Sequence, residues 1–214
     1  MKFFLALVTQ TDEARRAFEN HPVVMDAVAQ GLSQERYQKF LLELYHLVWH
    51  FNTVSAAATS RLADSHRQVR YFLYQHMQEE KGHEDWVLND LAALGVNRDT
   101  ALAYAPSADT LALTGYNYWA ADRKHPCSVL GMLYVLEVIA SVYGGPLANA
   151  QKERLLLQGE LGVSFINSHA TLDAEHMREL REIANTLDDA ESQASIVESA
   201  LVNFHHFTRI VQAL

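Results

Sequence analysis

The segment Leu130-Gly-Met-Leu-Tyr-Val-Leu-Glu137-Val-Ile-Ala-Ser-Val-Tyr143 decides how the chain folds. Glu137 is the only charged side chain between Lys124 and Lys152, inside an apolar run that extends from Cys127 to Ala150. A run of that length could cross a bilayer. The carboxylate near its middle and the interruption Gly144-Gly145-Pro146 favour a buried helix of a soluble protein instead. An isolated buried charge costs several kcal/mol, so Glu137 must be neutral and hydrogen-bonded, paired, or bound to a cation.

On either side of this run, apolar residues recur at intervals of three and four, the period of one helix face. Phe40, Leu41, Leu44, Leu47 and Val48 form such a stripe on a helix expected over about 34–62, with Ser33 as its cap. A second long helix is expected over about 65–94, stopped by Gly95. Others are expected near 109–121, 128–143, 146–161, 163–187 and 191–213, after a shorter pair before Gly31. Pro22, Pro106, Pro126 and Pro146 fall where these patterns start or stop. No stretch alternates with period two for long enough to make a strand, and no linker or repeat divides the chain. The expectation is an all-α protein: one domain over residues 1–214, a compact bundle of about seven to nine helices.

The composition agrees. A chain 49% apolar and 20% charged can fill a core, and its 9 Gly and 4 Pro are few for a β-rich protein of many tight turns. Seventeen basic residues against 26 acidic ones, a net charge of -9, argue against nonspecific nucleic-acid or anionic-membrane binding. One cysteine, Cys127, excludes an intrachain disulfide framework and a Cys-rich zinc site, and points to a reducing, cytoplasmic setting. The apolar opening Met1 to Val8 is followed by no small-residue cleavage site, so no signal peptide is expected. Histidine is the outlier, with 11 copies.

The sharpest pattern is His169-Ala-Thr-Leu-Asp173-Ala-Glu-His176. At about 100° per residue, positions 169, 173 and 176 fall within roughly 60° of one another, so three ligand-type side chains share one helix face. Val163, Phe165 and Ile166 just before them suggest that this face is turned inward. Next comes Glu80-Lys81-Gly82-His83, a carboxylate and an imidazole at the i, i+3 spacing by which bundle helices present both to one iron. Glu43 and His46 repeat that spacing, and with His50 and His76 they are candidates for further ligands or for donors that orient the ligands. Glu80, Glu137, Asp173, His83, His169 and His176 make a mixed oxygen and nitrogen set without thiolate. Such a set suits iron or manganese, and six ligands exceed what one ion with open positions needs. Two ions sharing a carboxylate is the natural stoichiometry.

Through Glu80-x2-His83, the lone Glu137 and His169-x3-Asp173-x2-His176, in that order, the chain resembles the heme-oxygenase-like diiron oxidases and oxygenases. Their fold is related to heme oxygenase and to the TenA proteins, and the resemblance spans about 33–187. It implies a heme-oxygenase-like helical fold, two irons (or a mixed iron and manganese pair) held by the six residues, and O2 as co-substrate. It further implies an electron donor and a small organic substrate, with oxidative C–C cleavage, decarboxylation or N-oxygenation as the outcome. Glu137 and Asp173 are the expected catalytic carboxylates. Some members carry a carboxylate at the position of His76, which leaves the role of Glu80 less secure than that of His83.

Three alternatives stay open. A heme protein would use one axial histidine, and Leu133 to Glu137 followed by Gly144-Gly145 resembles a heme-oxygenase distal helix, although the glycines lie farther from the Glu than expected. A TenA-type hydrolase would need a nucleophilic thiol, and no His or acidic partner set is evident around Cys127. A non-catalytic helical scaffold would tolerate changes at His169 and Asp173. For the pocket, Trp49, Tyr134 and Tyr143 are the aromatic candidates. A homodimer is compatible with the sequence, which does not name the substrate.

Overall fold

The computed structural model describes residues 2–214, apart from the side chains of residues 171–174. Asp173, expected as a ligand and a catalytic carboxylate, therefore lies outside the described residues. The chain folds into α1 (Phe3–Gln10), α2 (Asp12–Glu19), α3 (Pro22–Gln30), α4 (Gln34–Arg61), α5 (Arg67–Glu79), α6 (His83–Ala93), α7 (Arg98–Ala103), α8 (Ala108–Arg123), α9 (Val129–Ile139), α10 (Gly145–Leu155), α11 (Ser164–Ala184) and α12 (Ala190–Gln212). Short 3-10 turns, Asp64–His66 and Pro126–Ser128, precede α5 and α9. There is no strand among the described residues.

Local chemistry explains most boundaries. Ser33 accepts the Arg36 N–H as the cap of α4, and Asn97, Ser107 and Asp189 do the same for α7, α8 and α12. Pro22 opens α3, where its missing N–H costs nothing. The helix α11 has no such residue of its own. Its first N–H groups are taken by Asp90 from α6: Oδ1 accepts from Gly162 N (3.0 Å) and from Ser164 N (3.0 Å) and Oγ (2.8 Å), and Oδ2 from Phe165 N (2.9 Å).

Two expectations about helix continuity change. The helix expected over 65–94 is divided at residues 80–82, because Gly82 turns left-handed at φ +90° and α6 restarts in a new direction. Conversely, Gly144-Gly145-Pro146 does not stop the apolar helix. The chain passes from α9 through a π-helical turn, Ala140–Gly144, into α10 as one helical run, Pro126–Leu155. A π-turn keeps its backbone groups bonded while inserting a residue, and Pro146 in the first turn of α10 needs no donor. That run is long and apolar enough to cross a membrane, yet 67% of its apolar window is buried within the fold.

The longest apolar faces meet in the middle. α9 packs on α12 and α11, α4 packs on α8, α6 and α5, and α6 also touches α11. Gly131 permits the α9–α12 approach: a Cβ there would stand 2.3 Å from the Ile196 carbonyl oxygen. Tyr37, Leu41, Leu73, Leu130, Leu133 and Leu180 are among the large side chains fully enclosed. The helices α5, α6, α9 and α11 thus converge on one interior region, and each brings polar residues into it.

Candidate metal centre

The helix break between α5 and α6 builds the centre. His76 is one turn before the end of α5, Glu80 follows that end, and His83 is the first residue of α6, so the left-handed Gly82 turns Glu80 and His83 inward together. Opposite them, α9 supplies Glu137 and α11 supplies His169 and His176. His76, His83, Glu137, His169 and His176 are all buried.

These side chains form two groups that share Glu80. One ligand atom each from Glu80, His83 and His169 lies within 4.8 Å of the others, and so does one each from His76, Glu80 and His176. In the first group, His83 Nδ1 is 2.8 Å from Glu80 Oε2 and 3.1 Å from His169 Nε2, and His169 Nε2 is 3.5 Å from Glu80 Oε2. His169 is anchored from behind: its Nδ1–H donates to the Phe165 carbonyl at 2.9 Å, so loss of the Nε2 proton to an incoming ion would leave that lone pair facing the cluster. In the second group, Glu137 Oε1 stands 3.5 Å from His76 Nε2 and 3.3 Å from His176 Nδ1. The far nitrogen of His176, Nε2, is 3.5 Å from Glu79 Oε2.

The electrostatics are those of a site poised for positive charge. Burial pushes the Glu80 carboxyl up, but hydrogen bonds from His169 and His83 outweigh it and hold the group well below the usual carboxylate range. Burial pushes His76 down, towards the neutral imidazole, while Glu137 pushes His176 up. Neither ring nitrogen of His76 makes a hydrogen bond among the described residues, and Glu137 Oε2 is likewise without one. Buried polar atoms left so would cost about 1–3 kcal/mol each. Oxygen and nitrogen donors around two shared points, with orphaned lone pairs aimed inward, fit a pair of iron or manganese ions. His76, a subsidiary candidate in the sequence, stands with the principal residues here.

The other subsidiary candidates lie elsewhere. The inward face of α4 is the apolar one, Phe40, Leu44, Leu47, Val48 and Phe51, which lines a cavity of about 110 Å³ beside the centre. Glu43, His46 and His50 occupy a neighbouring face. Glu43 accepts from Tyr104 OH (2.6 Å), Thr110 Oγ1 (2.6 Å) and Ser107 N (3.1 Å), so its oxygens are committed to the start of α8. His46 Nε2 donates to the Tyr104 carbonyl (3.1 Å), and His50 Nδ1 pairs with Tyr118 OH (3.0 Å). Of the aromatic candidates, Tyr143 lines the cavity together with His76, Glu80, Glu137 and His169. Trp49 is 54% exposed, because its position falls on the outer side of α4. Tyr134 is fully buried against Phe4 and Phe204 with its hydroxyl beside Thr11, outside the cavity.

Sequence reasoning missed Asp90, which acts on backbone groups of a distant segment, and Phe165, which acts through its own carbonyl four residues before His169; neither role carries a residue-type signal. It also read Cys127 as lacking partners, whereas His66 and His125 stand beside it, away from this centre.

The same fold occurs in solved structures. Over 99% of this chain and 90% of the other, it superposes with a TM-score of 0.82 and 24% identity on a domain of unknown function with a heme oxygenase-like fold from Shewanella denitrificans. A TenA homolog from Pseudomonas syringae matches with a TM-score of 0.84 at 15% identity, over 98% of this chain and 91% of that one. The heme oxygenase of Leptospira interrogans matches with a TM-score of 0.80 at 16% identity, over the whole of both chains. The all-α, heme-oxygenase-like architecture expected from the sequence is therefore the one observed. No curated protein matches the chain. The family model of the iron-containing redox enzymes matches residues 38–205, which include every residue of the centre, and the chain belongs to that family.

Proposed function

We propose that this chain is a non-heme diiron oxidase or oxygenase that uses O2 and an electron donor to oxidise a small organic substrate. The observation that carries the reading is the position of the Glu80 carboxylate, shared between a His83–His169 group and a His76–His176 group with Glu137 beside the latter. Glu80, His83 and His169 would hold one iron, and Glu80, His76, Glu137 and His176 the other, with Asp173 as a further candidate on the same helix. Two irons supply, when bound, the electrons and open positions by which O2 is activated.

The chain's own residues do the rest. With ions bound, the Phe165 carbonyl would hold the proton of His169 on Nδ1 and Glu79 that of His176 on Nε2, so that each imidazole could turn a lone pair to the interior. Glu80 is held as the anion by the two imidazoles around it. The cavity wall of Phe40, Leu44, Val48, Ile139, Leu147 and Phe207 excludes water and offers an apolar surface to the substrate body. Tyr143 keeps its hydroxyl proton, since burial and the Glu19 carboxylate that accepts it both push the phenol up.

The test is anaerobic loading with Fe(II) followed by O2 exposure. The expected result is O2 uptake in proportion to bound iron with a transient visible band, lost in Glu137→Ala. A Soret band on addition of hemin with no uptake of Fe(II) would contradict the reading and favour a heme protein.

A further inference from the structure

A second cluster of metal-ligating side chains lies apart from the Glu80 centre. His66 ends the turn Asp64–His66, and His125 and Cys127 flank Pro126 just before α9. One ligand atom from each lies within 4.8 Å of the others, and the two imidazole centroids are 5.2 Å apart. Cys127 is fully buried and the two histidines are half-buried. Asp189, the cap of α12, meets the set on one side, where its Oδ2 accepts from His66 Nε2 at 3.1 Å. Cys127 precedes Glu137 by ten residues on one helical run, about 15 Å of rise, and the two clusters share no residue.

We propose that His66, His125, Cys127 and Asp189 form a site for a zinc-class divalent cation that ties the turn before α5, the turn before α9 and the start of α12 to one another. One thiolate and one carboxylate balance the charge of the ion, and a sulfur, two nitrogens and an oxygen are the donors that tetrahedral zinc takes. The centre at Glu80 has no sulfur, so the two sites would select different metals.

The same donors already converge without an ion, on the hydroxyl of Ser192. Its Oγ is 3.0 Å from His66 Nε2 and 3.5 Å from His125 Nε2, and it also bonds the Cys127 thiol. Burial pushes that thiol up to about 11, so it is protonated before loading. Binding the cation therefore releases the thiol proton to solvent and turns the Ser192 hydroxyl aside. It also moves the proton of His125 from Nε2 to Nδ1, which gives up the 3.3 Å contact from the Cys127 N–H, and that of His66 from Nε2, where Asp189 accepts it, to Nδ1, which faces Ser65 Oγ at 3.1 Å. No electron changes hands: a proton leaves sulfur and a metal–sulfur bond replaces it.

The test uses Co2+ added to the metal-free full chain without added thiol. Wild type is expected to show a thiolate-to-cobalt charge-transfer band, which only Cys127 can supply, and Zn2+ is expected to bleach it. Cys127→Ser should abolish the band. His66→Gln, its folding checked by helical circular dichroism, should weaken the affinity read from the band by at least about tenfold. No thiolate band in wild type, or an unchanged affinity in His66→Gln, would overturn the proposal. The band is blind to ions at the sulfur-free Glu80 centre, so this result and that of the iron titration stand independently.

Discussion

Glu43 shows how one residue can carry the right sequence pattern and a different task. With His46 it repeats the i, i+3 spacing of Glu80 and His83, yet its oxygens are occupied by Tyr104, Thr110 and the Ser107 N–H. Burial pushes its carboxyl up, but those hydrogen bonds outweigh burial and hold it below the ordinary carboxylate range. A group depressed in the folded state stabilises the fold above its unfolded value, and that contribution is lost as pH falls through the folded value. Glu43→Gln should therefore cost about 1–3 kcal/mol at neutral pH and should flatten the acid-side loss of stability, read by urea unfolding over a pH series. An unchanged acid-side slope would contradict this role. Asp90 acts in the other sense, since burial raises it despite four hydrogen bonds, so the difference between Glu43→Gln and wild type is the quantity to follow. Spacing alone could not separate Glu43 from Glu80, because both pairs share residue types and period. What differs is the partner across the interface, which a single helix does not encode.

At the scale of elements, the helical class, the Ser33 cap and the inward face of α11 were legible because period, Pro and Ser act locally. The division of the helix expected over 65–94 was not. A glycine inside a helical pattern is commonly tolerated, and only the inward demand of Glu80 and His83 together makes Gly82 a break. Gly82→Ala, at φ +90° with open space for a Cβ, should cost about 1 kcal/mol or more through backbone strain alone and should loosen the first iron group. Gly131→Ala has a different cause, collision with the Ile196 backbone, and should destabilise by about 1–3 kcal/mol without touching the centre. Thermal unfolding with iron stoichiometry distinguishes them: loss of iron in Gly131→Ala at a temperature where it remains folded would contradict this assignment. Asp90 fixes the register of α6 against α11, and so of His83 against His169. Asp90→Ala is expected to lose the iron of that pair while the His76–His176 group keeps its own, and equal loss of both would show a general loosening instead.

For the whole molecule, the arrangement amounts to four helices delivering charged and imidazole groups to one end of an otherwise apolar cavity. The lone carboxylate of the α9 run had to be neutral and hydrogen-bonded, paired, or bound to a cation, and the structure sets two imidazoles beside it. The lining of the cavity, drawn from helices far apart in the chain, was legible only in part, with Tyr143 inside and Trp49 and Tyr134 outside. The central claim is that Glu80 is shared by two ions, and anaerobic Fe(II) titration of wild type beside Glu80→Ala and Glu43→Gln tests it most directly. Two irons per chain are expected in wild type and in Glu43→Gln, with binding at both positions weakened in Glu80→Ala. A wild type that takes up one iron or none, or a Glu80→Ala variant that retains both with unchanged affinity, would contradict the account.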